Sequence, residues 1–120
     1  MADLVTEILG VKTLVCAADG PVISTDRHAV DLIADAHGRH AALVVLPIER
    51  LAPEFFQLRT GVAGEIAQKF VTYQMRLAIL GDVSGYLARS ETFASFVRET
   101  NRGSQLWFIA DHNELDARLR

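Results

Sequence analysis

Arg59-Thr60-Gly61 is the stretch of this 120-residue chain best suited to hold an anion. It stands where a helix would begin. Backbone N–H groups there lack intrahelical partners, the helix dipole is positive, and a guanidinium can grip a carboxylate or phosphate with two hydrogen bonds. The plainer reading is that Arg59 pairs with Asp82 and Thr60 caps the helix. The stretch is not a P-loop, which needs more glycines and a lysine. Asp82 follows Gly81 after an apolar run. Such an acid can serve as a general base or metal ligand, but more often it fixes a turn. No second carboxylate is aimed at it, so no metal site is expected. Ser84 and His112 could form a nucleophile–base pair only if the fold brought them together. Glu65 and Lys69 are four apart, the order and spacing of a solvated helix pair worth about 0.3 kcal/mol.

The remaining polar candidates are weaker. His28, His37, His40 and His112 are scattered, without the spacing of a zinc site. His37 and His40 flank Gly38, where a protonated histidine suits a helix end. Glu99, Asn101 and Arg102 lie on a turn that can be a helix C-cap with a supporting ion pair, or a second binding surface. Cys16 is the sole cysteine and sits in an apolar run, so it reads as a small core residue rather than a reactive thiol. No catalytic set and no cofactor motif emerges.

The elements that must position these residues follow from apolar spacing and turn signals. Leu4 to Leu9 and Lys12 to Ala17 are β-prone runs separated by Gly10, which predicts a hairpin. Ser24 or Thr25 can cap a first helix, whose inner face holds Ala29, Val30, Leu32, Ile33 and Ala36. Ala41 to Leu46 is continuously apolar, as in a strand buried on both faces. Pro53 opens a short helical turn. Phe55, Leu58, Val62, Ile66, Phe70 and Tyr73 then recur at helical steps. Gly61 and Gly64 interrupt that pattern, and a break near Thr60 with a fresh helix after it is the preferred reading. Arg76 to Leu80 is a strand, Val83 to Ala88 a loop, and Ser90 the cap of a helix burying Phe93, Phe96 and Val97. Leu106 to Ala110 is the last strand. Asp111 or Asn113 starts a terminal helix with Leu115 and Leu119 inward.

The order ββαβαβαβα predicts one α/β domain over residues 1–120, with a mixed, mostly parallel sheet of about five strands and about four helices. Ligands gather outside the carboxyl ends of parallel strands, so residues 49–61, 81–84 and 111–113 should converge there. Half the residues are hydrophobic, 22% are charged, and the formal net charge is −3. That balance lacks the basic excess a nucleic-acid surface needs. No apolar run reaches the roughly 20 residues of a membrane helix, and no signal peptide is seen, so a cytoplasmic setting is expected.

The run FFQLRTGVAGEIAQKFVTYQMRLAILGD, with RETNRG and LWFIAD after it, resembles a bacterial family catalogued as domain of unknown function 4180. The likeness runs from about Leu43 to Asp111 and implies no particular activity. The element order, with its opening hairpin, is also similar to the STAS domain, the fold of bacterial anti-sigma-factor antagonists. That family carries Phe-x-Asp-Ser-x-Gly at the start of its second helix, and phosphorylation of the serine switches partner binding. Here Phe56-Gln57-Leu58-Arg59-Thr60-Gly61 holds the place, with Leu58 for the aspartate and Arg59 for the serine. Thr60 is the nearest hydroxyl and so the candidate phosphorylation site.

Three functions stand in order. The first is a regulatory, STAS-like interaction domain that meets a protein partner at Arg59, Thr60, Gly61, Asp82 and Ser84, rests on fold analogy, and leaves a homodimer open. The second is a sensor of an anionic or nucleotide-like small molecule at the same place. The third is a small enzyme using Asp82 and Glu65. A concave pocket with convergent polar groups would favour the sensor, and an apolar patch beside Arg59 the partner.

Overall fold

The opening hairpin is set by its turn. In the computed structural model, which describes residues 3–120, β1 (Leu4–Ile8) and β2 (Val11–Val15) pair antiparallel around the two-residue loop Leu9-Gly10. Both loop residues have positive φ, 49° and 81°. That is the mirror-image turn whose twist matches a hairpin. Gly10 suits it, while Leu9 sits there at some cost.

From β2 onward the chain alternates. Thr25 caps α1 (Asp26–Gly38) by accepting a hydrogen bond from His28 N. β3 (Leu43–Pro47) is buried throughout. Three short 3-10 turns follow, at Ile48–Arg50, Pro53–Phe56 and Leu58–Thr60. Gly61, at φ 80°, then turns the chain into α2 (Val62–Thr72). The helical pattern therefore breaks near Thr60 as expected, but the cap of α2 is Gly61 rather than Thr60, and no side chain caps it. β4 (Arg76–Leu80), α3 (Ser84–Arg89), α4 (Glu91–Arg102), β5 (Leu106–Ile109) and α5 (His112–Leu119) complete the fold. Ser90 and Asp111 cap α4 and α5 through bonds from Phe93 N and Glu114 N.

The architecture is α/β with a five-stranded mixed sheet, mostly parallel with one antiparallel pair, and five α-helices. Two expectations need correction. The order is ββαβαβααβα, with five helices rather than four. Residues 83–88, read as loop, are largely α3.

The strands lie side by side in chain order, β1-β2-β3-β4-β5. Crossovers of one hand that all step in the same direction put their helices on one face. The core shows this. Leu14, Val44, Leu46, Leu77, Ile79, Leu106 and Phe108 meet Ile33 of α1, Ile66 and Phe70 of α2, and Phe93 and Val97 of α4. On the opposite face Leu43, Val45, Ala78, Trp107 and Ile109 pack on Leu115 of α5. One face carries three long helices and the other a single short one. No helix among the described residues is long and apolar enough to cross a membrane.

Candidate functional site

The 3-10 turns between β3 and α2 face α3 and the start of α4 across an open groove of about 770 Å³. Pro53, Phe56, Gln57, Leu58 and Arg59 line one wall, and Tyr86, Arg89, Ser90 and Thr92 the other. Phe56 is buried because Pro53 starts a turn that drives Phe55 and Phe56 into the core, where Phe56 meets Phe93 edge-on. Phe56 stacks on Tyr86 with ring centroids 4.1 Å apart and planes 7° from parallel. The Arg89 guanidinium lies 5.2 Å from the same tyrosine centroid. Tyr86 thus makes a ring–ring contact and a cation–π contact at once.

Arg59 is exposed on the rim of this groove and makes no ion pair or hydrogen bond among the described residues. Arg89 has no carboxylate partner among them either. Two cations thus border an apolar floor with hydroxyl and amide groups from Ser90, Thr92 and Gln57 close by. Such a surface can take a group that carries both negative charge and apolar bulk.

Thr60 is exposed, but its hydroxyl is engaged. Oγ1 donates to the carbonyls of Glu54 at 2.8 Å and Gln57 at 2.7 Å, and accepts from Val62 N at 3.3 Å. It ties the 3-10 turns to the head of α2. Gly61, beside it, supplies the left-handed step between them.

Arg59 and Asp82 do not come together. Asp82 lines a separate cavity of about 240 Å³ with Ser84, Asn101, Phe108 and Glu114. Its Oδ1 accepts from Ser84 N at 2.9 Å, and hydrogen bonding from Ser84 holds the carboxyl below its usual pKa. Asp82 therefore fixes the turn into α3, the plainer of its two readings. Strand order explains the separation. A shared crevice forms where neighbouring strands send their connections to opposite faces. β2 to β5 step one way only, and the change of face falls between β4, followed by α3 and α4, and β5, followed by α5, so the crevice there holds Asp82 while Arg59 follows β3 on the helical face. Residues 49, 81 and 112, also expected at that crevice, line a third groove on the other sheet face.

Asn101 stands in the last turn of α4 and lines the cavity with Asp82 and Ser84. Its side chain donates to Phe108 O at 3.4 Å and accepts from Phe108 N at 2.7 Å, closing the outer edge of β5. Glu99 and Arg102 form an exposed ion pair at 3.5 Å. Glu65 and Lys69 form none among the described residues. His37 contacts Tyr73 O at 2.8 Å and links α1 to the end of α2. No cluster of three or more His, Cys, Asp or Glu among the described residues could hold a metal ion. Cys16 is buried, and burial next to Asp3 pushes its thiol up to about 12, so it is no nucleophile at neutral pH.

Sequence reasoning missed two features. Tyr86 falls in the stretch read as loop and Arg89 directly follows it; their three-residue spacing was the available signal. Arg50 is 3% exposed, with Nε donating to Pro21 O at 2.6 Å and Nη1 to Asp3 Oδ1 at 3.0 Å and Ala17 O at 2.9 Å. This clasp fixes the loop after β2, which also forms an isolated bridge between Ile23 and Leu51.

The chain belongs to the family described as Domain of unknown function (DUF4180), whose model matches residues 9–119. No curated protein and no solved structure matches it.

Proposed function

We propose that this chain is a regulatory interaction module, STAS-like and bacterial as its resemblance implies, that docks a protein partner in the groove beside Arg59. One observation carries the reading. Arg59 and Arg89, neither paired with a carboxylate among the described residues, flank an apolar, aromatic floor in an open groove. The matching partner segment presents a carboxylate or phosphate next to an aliphatic or aromatic side chain. The opening hairpin and the parallel strands after it agree with the STAS comparison. Thr60, the candidate phosphorylation site, would place new negative charge beside Arg59 and compete with the partner's acid. Its hydroxyl must first leave the Glu54 and Gln57 carbonyls.

A nucleotide-like ligand is the second reading, favoured by the same two arginines. It fits less well. A base needs a free aromatic face, and Tyr86 already stacks on Phe56 and has the Arg89 guanidinium 5.2 Å from its centroid.

The test is capture from host lysate on immobilised wild type, Arg59→Glu and Arg89→Glu, with bound proteins and extracted small molecules both identified. A protein held by wild type and lost from both variants supports the module. A small anion lost from both replaces it with the sensor reading. Equal capture by all three overturns the site.

A further inference from the structure

The sheet treats its two edges differently. At β5, Asn101 bonds both outward groups of Phe108, and Trp107 Nε1 donates to Gly103 O at 2.7 Å. At β1 no strand covers the outer edge among the described residues. Lys12 O accepts from Ala42 N, and Cys16 N donates to Val45 O, so even-numbered residues of β2 turn toward β3. Odd-numbered Val11, Thr13 and Val15 therefore bond to Ile8, Thr6 and Leu4. That leaves the N–H and C=O of Val5 and Glu7 pointing outward, with no partner among the described residues. Asp3 O also points outward, but Arg39 Nη1 occupies it at 3.0 Å. No proline or bulge blunts the strand. Leu4 is 65% exposed beside it, and Leu4, Thr6 and Ile8 form one wall of the apolar groove of about 710 Å³ on the sheet face that carries only α5.

We propose that β1 pairs antiparallel with β1 of a second copy of this chain, with Thr6 facing Thr6 on the twofold axis. An open row of backbone donors and acceptors is filled by another extended strand, and charge selects the register. Only residues whose groups point outward can form hydrogen-bonded pairs. Centring on Glu7 sets two carboxylates face to face. Centring on Val5 sets Glu7 against Asp3, again acid on acid, and needs the Asp3 carbonyl that Arg39 holds. Centring on Thr6 pairs Val5 with Glu7 twice and faces Leu4 with Ile8 twice. That register uses all four free groups, opposes no like charges, and covers Leu4. Two five-stranded sheets become one of ten strands, and the two apolar grooves become neighbours across the axis.

Light scattering and a cysteine scan test this together. The wild type should show twice the mass of the 13.2 kDa chain, and Thr6→Lys, which sets two cations on the axis, should return it to one. Thr6→Cys should give a disulfide-linked dimer on mild oxidation, because facing residues across an antiparallel pair lie within disulfide reach. Leu4→Cys should not, since its copies stand four residues apart along the strands, roughly 13 Å. Cys16 is buried with a raised pKa and adds no background. Circular dichroism of Thr6→Lys checks that it folds; should it not, the Thr6→Cys and Leu4→Cys comparison decides alone. A wild type of single mass at every concentration overturns the pairing. So does a dimer in which Thr6→Cys forms no link, or in which Leu4→Cys links as readily.

Discussion

Gly20→Ala should destabilise this protein through Arg50. Gly20 is not among the residues with positive φ, so alanine costs nothing in backbone strain there. On entropy alone the change should stabilise by about 0.4–1 kcal/mol. Space says otherwise. A Cβ on Gly20 would stand 2.5 Å from both Cζ and Nη1 of Arg50 and 3.0 Å from its Nε. An exposed arginine would swing aside at little cost. Arg50 is 3% exposed and held by Pro21 O, Ala17 O and Asp3. Displacing it breaks a largely buried ion pair and strands two carbonyls, a loss of about 3 kcal/mol, the low end for breaking such a pair because Asp3 is 18% exposed. For a chain this size that lowers the melting temperature by roughly 10–15 °C. Urea unfolding measures it. Arg50→Met should cost a similar amount, and the double variant no more than Arg50→Met alone, because the methyl group then meets no guanidinium. A Gly20→Ala variant as stable as wild type, or a double variant whose losses simply add, would refute the clasp as the reason for glycine at this position.

Three further outcomes follow from named contacts. Leu9→Asn should stabilise by roughly 0.5–1 kcal/mol in urea unfolding, because asparagine tolerates the left-handed conformation that Leu9 adopts at φ 49° before Gly10. Asn101→Leu should cost about 1–3 kcal/mol in thermal unfolding, since it strips both hydrogen bonds from Phe108 at the edge of β5. Cys16 should resist thiol reagents at pH 8 until the protein unfolds. Its folded pKa, about 12, lies above the ordinary 9.0, so its contribution is intact below pH 9 and is lost as pH rises toward 12, at up to about 1.4 kcal/mol per pH unit. Cys16→Ala should remove that part of the alkaline slope, and an unchanged slope would contradict the burial argument.

Local structure was legible wherever one signal ruled. Arg76–Leu80 is a strand to the residue because an apolar run ends at Gly81, whose φ of 147° and close packing on Ile48 suit glycine alone. α4 and α5 begin where Ser90 and Asp111 offer caps. α3 was not legible, because six residues with Gly85 inside them and Tyr86 and Leu87 as their bulky apolar members carry no helical period. Arg50 was not legible either; the partners that bury it lie 29, 33 and 47 residues away, and no local pattern announces them. The candidate site fell between these cases. Arg59 was placed correctly at the head of a helix after a broken turn, but joining it to Asp82 required knowing on which side each new strand is added. Alternating elements are compatible with addition on either side. Here every strand after β2 is added on the same side. The connections after β3 and β4 therefore pass over the same helical face. They meet as neighbouring walls at Phe56 and Tyr86 instead of splaying around a shared crevice at Asp82. The groove that results is open and bordered by Arg59 from one connection and Arg89 from the other.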